Sequence, residues 1–109
     1  MDDVRVAVVG CGYWGPNVVR TFAELPGTSL VAVADRQPEL LEPLRRRYPS
    51  VEHFVLDHTE LLDLEIDAVA VCTPPDTHFP IVRTFLDHGI DVFVEKPLAT
   101  STSHAVQLL

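Results

Sequence analysis

No apolar run among the 109 residues approaches the ~20 residues needed to span a membrane. The opening MDDVRVAVV does not read as a signal peptide either. Internal repeats, low-complexity tracts and linkers are missing. Positive charge is scarce: eight Lys and Arg stand against sixteen Asp and Glu, a formal charge of −8. That balance argues against a nucleic-acid partner, because affinity for phosphate comes mainly from basic contacts. Cysteine is scarce too. Cys11 and Cys72 are far apart in sequence and fit no zinc pattern, so no metal site is expected. Two cysteines so placed point to a reducing, cytoplasmic compartment, in which both thiols are expected to stay free.

What remains is an ordinary globular composition, with 47% apolar and 22% charged residues. A chain of this length buries roughly 60–70% of its unfolded surface, enough for one core. Four short apolar runs stand out: Val4 to Val9, Leu30 to Ala34, Ala68 to Cys72 and Asp91 to Val94. Such runs, bounded by turn residues, suit strands buried on both faces. His53-Phe54-Val55 adds a shorter one. Helical spacing links Val18, Val19, Phe22 and Leu25, ended by Pro26-Gly27. It also links Leu40, Leu41 and Leu44, where Pro43 predicts a late start or a kink. A third helix carries Ile81, Val82, Phe85 and Leu86, capped by Asp76 and stopped at Gly89. Residues 58–63 predict a short helix, and another opens near the last residues. Strictly alternating strands and helices imply a doubly wound parallel α/β sheet, of expected order 3-2-1-4-5, with the chain ending before a sixth strand.

The first strand runs into Gly10-Cys11-Gly12-Tyr13-Trp14-Gly15, a G-x-G-x-x-G pattern that opens a helix. Asp35 follows twenty residues after Gly15, at the end of the next strand. That context gives the pattern its specificity. Gly10 permits a tight turn, Gly12 lets a diphosphate approach backbone N–H groups, and Gly15 lets helix and strand pack closely. The helix N-terminus supplies positive potential to an otherwise acidic protein. Tyr13 and Trp14 either wall the nicotinamide side, meet a second domain or simply pack. Asp35 suits ribose hydroxyls and repels a 2′-phosphate, which favours NAD. Arg36 either stacks on adenine or turns to meet that phosphate, so NADP remains an alternative.

Ligands of such sheets bind beyond the carboxyl ends of the strands, where the strand order reverses. Cys72-Thr73-Pro74-Pro75-Asp76-Thr77-His78 follows the fourth strand, and Val94-Glu95-Lys96-Pro97 the fifth. Lys96 is the sole lysine beside seven arginines. An ammonium can lower its pKa on burial, which a guanidinium cannot, so this choice suggests chemistry.

Together GCGYWG, VADR, CTPPDTH and EKPLA resemble the Gfo/Idh/MocA family of nicotinamide-dependent oxidoreductases, in that order and over nearly the whole chain. The resemblance implies a Rossmann NAD(P)-binding domain over residues 1–109, with a C-terminal substrate domain missing. It implies that Gly10, Gly12 and Gly15 hold the pyrophosphate and Asp35 the ribose, and that Thr73, Pro74 and His78 line the dinucleotide. It further implies that Glu95 and Lys96 sit near the nicotinamide ribose and substrate, Lys96 acting on the reacting hydroxyl. The expected parent is a homo-oligomeric dehydrogenase oxidising a sugar, nucleotide-sugar or cyclitol alcohol. These 109 residues alone would be inactive, and their open fifth-strand edge would favour self-association. Two alternatives stay open. One is a non-catalytic NAD(P)-sensing regulator of the same fold. The other is a nucleotide-binding module of the glucose-6-phosphate dehydrogenase type.

Overall fold

The structure, a computed structural model, describes residues 3–12 and 14–94. Tyr13, Glu95, Lys96 and the helix expected near the last residues lie outside the described residues. Strand β1 spans Val4–Val9, β2 Thr28–Ala34, β3 His53–Val55, β4 Ala68–Val71 and β5 Asp91–Val94. Helix α1 is Gly15–Glu24, α2 Pro38–Arg47 and α3 His78–Asp87, with short 3₁₀ turns at His58–Asp63 and Pro75–Thr77. All strand pairs are parallel and the order is β3-β2-β1-β4-β5, as the alternation predicts.

Period-2 alternation splits the core between the two faces of the sheet. Val8, Val33 and Ala70 face α1 and α2, meeting Val19, Leu41 and Leu44. Val9, Ala32, Ala34 and Val71 face the other side, meeting Leu61, Ile81, Val82 and Phe85. Alanine at the centre of the sheet lets the helices approach, and the Phe85 ring fills the space on the α3 side with none of its surface exposed. Truncating such a ring to Ala costs about 3–5 kcal/mol.

Four local expectations are corrected. Leu25 is not on the buried face of α1. It is the extended C-cap, 46% exposed, and Gly27 turns the chain at φ +86° into a β2 that starts at Thr28. Leu86 is likewise solvent-facing. Helix α2 starts at Pro38 and runs on through Pro43. The bond lost there belongs to the carbonyl of Glu39, in an exposed first turn where water can serve it. Asp76 does not cap α3, because the intervening 3₁₀ turn moves the N-cap to Thr77. One cap was not foreseen: Asp57 accepts the Thr59 N–H while the Glu60 carboxylate accepts the Asp57 N–H, a reciprocal pair that starts the 58–63 turn.

The register aligns the strand ends. Val9 pairs with both Ala34 and Val71, Ala34 with Val55, and Val71 with Val94. Every segment leaving those residues therefore starts from one edge, and the order reverses between β1 and β4. Among the described residues no helix is long and apolar enough to cross a membrane.

Candidate functional site

A cleft of about 770 Å³ opens along that edge. Its floor is the glycine loop. Gly10 has φ +97° and gives its N–H to the Ala34 carbonyl at 2.8 Å. A Cβ at Gly10 would lie 2.8 Å from the Cys72 carbonyl carbon, so both conformation and space require glycine. At Gly15 a Cβ would collide with the Gly10 carbonyl, so α1 starts pressed against the end of β1. Gly12 differs. Nothing lies within 4 Å of where its Cβ would be, and the residue lines the cleft. The open space above Gly12 fits a group that must reach backbone N–H donors.

Trp14 is the N-cap of α1 and contributes no side-chain cap bond, and the first turn holds no acid. No acid of its own first turn therefore offsets the positive end of α1 beside the cleft, which Trp14 lines with its half-exposed ring. The expected ribose acid, Asp35, also lines the cleft. Its Oδ2 accepts the Cys11 N–H at 2.7 Å and its Oδ1 the Gln37 N–H at 2.8 Å. Arg36 and Gln37 stand beside it on the exposed rim.

The opposite wall comes from the β4 exit: Cys72, Thr73, Pro74 and Thr77. The Thr77 hydroxyl is 2.6 Å from both Thr73 Oγ1 and the Pro74 carbonyl. The carbonyl has no proton to give, so Thr77 donates to it and Thr73 donates to Thr77. Two expected residues, Gly15 and His78, are buried and stand outside the lining, Gly15 under the loop it packs against and His78 behind the β4 exit. His78 is 3% exposed, and its Nε2–H donates to the Thr73 carbonyl at 2.8 Å from beneath the turn.

Sequence reasoning missed Leu40, Leu56, His58, Pro80 and Ile81, which also line the cleft. The His58 ring stands 6.0 Å from that of Phe85. Burial lowers the His58 pKa below its ordinary value; Asp57 opposes that shift and Arg36 adds to it. The strand-end rule that found Asp35 and Thr73 also points to residues 56–58 after β3, but no familiar motif marks them. Burial, then the charge of Asp35, then Cys72 push the Cys11 thiol up to about 12, so it is a packing group and not a nucleophile. Cys11 and Cys72 are not joined in a disulfide. Among the described residues, no three His, Cys, Asp or Glu side chains are grouped to hold a metal ion.

The chain matches the Gfo/Idh/MocA oxidoreductase family, NAD-binding Rossmann fold, over residues 4–109. It is 31% identical to an inositol 2-dehydrogenase of Mycolicibacterium gilvum, across 99% of this chain and 31% of that protein. It is 30% identical to a UDP-N-acetylglucosamine 3-dehydrogenase of Acidithiobacillus ferrooxidans, across 100% and 33% respectively. Among solved structures, GenD2 from gentamicin A biosynthesis in complex with NAD superposes with a TM-score of 0.90 at 35% identity, covering 99% of this chain and 31% of that one. The chain thus spans about a third of the length of these relatives.

Proposed function

The chain belongs to the Gfo/Idh/MocA oxidoreductase family, and from that premise we propose that it is the dinucleotide-binding part of a dehydrogenase acting on a sugar, nucleotide-sugar or cyclitol alcohol. The observation that carries this is one cleft lined both by Gly10 and Gly12 of the loop that leads into α1 and by Asp35 at the end of β2. A diphosphate and a ribose diol are the two groups that this pair suits. When bound, a nicotinamide dinucleotide supplies hydride transfer, and the protein supplies orientation and electrostatics.

The residues divide the work. Gly10 and Gly15 shape the loop and Gly12 keeps it open, so that the α1 N-terminus holds the diphosphate. Asp35 accepts the ribose hydroxyls, and its charge disfavours a 2′-phosphate. NAD is the preferred cofactor. Arg36, over the rim, covers the adenine face. Thr73 and Pro74 form the wall opposite, and Trp14 and Tyr13 close the nicotinamide side. Glu95 and Lys96 belong near the reacting centre, Lys96 holding or releasing the proton of the substrate hydroxyl. Substrate recognition is assigned to a second domain. Relatives named as dehydrogenases of inositol and of UDP-N-acetylglucosamine support a small ring alcohol as substrate.

Calorimetry with NAD(H) and NADP(H) tests the reading. Tighter NAD(H) binding is expected; no binding of either would overturn it. Lys96→Met should leave dinucleotide affinity within a few-fold, and in the two-domain parent should lower turnover by ~10²–10⁴-fold.

A further inference from the structure

We propose that Asp35 is a positioning residue for the glycine loop, holding it in its binding shape before any ligand arrives. The carboxylate is committed twice to backbone, once on each oxygen. Oδ2 takes the N–H of Cys11 at 2.7 Å, and Oδ1 takes the N–H of Gln37 at 2.8 Å. It therefore ties the loop after β1 to the turn after β2.

The ends of the glycine loop are fixed by backbone. Gly10 is bonded to Ala34 and pressed against Cys72 and Thr73, and Gly15 rests on the Gly10 carbonyl. Its middle is not held that way: among the described residues no backbone–backbone hydrogen bond reaches Cys11 or Gly12. Cys11 is 2% exposed, so its N–H is out of reach of water and depends on the Asp35 oxygen. Two oxygens offer about four lone-pair sites. Two serve the backbone, and the others are left for ribose hydroxyls. No neutral side chain reproduces this. Asn has one oxygen, and its NH₂ would face a backbone N–H, donor against donor. Exchanging Asp35 to admit a 2′-phosphate would therefore loosen the diphosphate site as well.

The affinity part of this inference rests on the dinucleotide reading, while the loop part does not. The test uses Asp35→Ala and Asp35→Asn in the full chain. In the ligand-free protein, amide hydrogen exchange at Cys11 should speed up by about tenfold or more in Asp35→Ala. Exchange at Val8 and Val33 should stay unchanged, which separates local loosening from unfolding. Calorimetry then uses NAD, NADP and inorganic pyrophosphate. Removing a negative charge alone would strengthen binding of pyrophosphate, whereas losing the loop's shape weakens it. The expected result is weaker binding of all three. Asp35→Asn carries the same readouts should the Ala variant fail to fold. Unchanged exchange at Cys11, or tighter pyrophosphate and NADP binding with weaker NAD, would overturn the proposal. A wild-type protein that bound none of the three would defeat the dinucleotide reading, and the exchange rates would still decide the role of Asp35.

Discussion

The backbone nitrogen of Thr73 lies 2.8 Å from where a Gly10 Cβ would be. The loop leaving β1 and the turn leaving β4 are therefore in backbone contact at the point where the strand order reverses. No side chain separates them. The cleft floor is set by how closely two peptide segments can approach.

That contact makes the three loop glycines separable. Gly10→Ala meets both the positive φ and the Cys72–Thr73 backbone, and Gly15→Ala meets the Gly10 carbonyl. Each should cost at least about 1–3 kcal/mol in urea or thermal unfolding. Gly12→Ala meets nothing in the protein, and its stability should stay within about 0.5 kcal/mol of the parent. Its dinucleotide affinity should nevertheless fall by about tenfold or more, because the methyl group occupies space that the diphosphate needs. Equal affinity in Gly12→Ala would remove that glycine from the site.

The fold was legible because its signals are local. Val4–Val9 and Asp91–Val94 are strands whose bounds follow from short apolar runs, and the parallel order follows from connection rules alone. The glycine loop and Asp35 were legible because their chemistry is tied to fixed spacing. Other features are tertiary. Whether His78 faces the cleft or the interior depends on the 3₁₀ turn that precedes α3, which no spacing announces. Leu56 and His58 join the lining because β3 stops in register with Ala34. Asp76 looked like a cap on composition, and a one-residue shift of the helix start gave that place to Thr77.

His78 should act through the turn it supports. His78→Phe leaves the Thr73 carbonyl without the Nε2–H that it receives at 2.8 Å, a loss of about 1–3 kcal/mol for a buried group. Cofactor affinity should fall with it, since Thr73 lines the cleft. His78→Gln carries an amide N–H that can replace the donor, and should recover most of both losses. If Gln behaves like Phe in unfolding and calorimetry, the hydrogen bond is not what His78 provides.

Cys11 predicts an alkaline limb. Its thiol is pushed from the ordinary 9.0 to about 12, so the folded chain holds the proton more tightly than the unfolded chain does. The sign follows: this contribution is complete below pH 9.0 and is lost as pH rises toward about 12. Cys11→Ala should flatten the fall of stability in that window, measured by urea unfolding at stepped pH. In the parent at pH 8, a thiol reagent should modify Cys72, which lines the cleft, well before Cys11.

The acid side carries two separate windows, from neighbouring residues. His58 has its pKa lowered from 6.5, first by burial. It is favoured neutral in the fold, so its contribution is complete above pH 6.5 and is lost as pH falls below that value. Asp57 has its pKa lowered from 3.8, first by the Thr59 N–H, so its contribution is lost only as pH falls below 3.8. His58→Phe should remove the upper loss and reduce the lower one without abolishing it, since the Thr59 N–H stays with Asp57 while the His58 charge is gone. Asp57→Asn should remove the lower loss and enlarge the upper one. Without the Asp57 carboxylate, which raises the His58 pKa, protonation of His58 moves to still lower pH in the fold. The loss beginning at pH 6.5 should then grow. Stability measured from pH 7 to 3 on both variants separates these effects, and an unchanged upper window in His58→Phe would mean that another group titrates there.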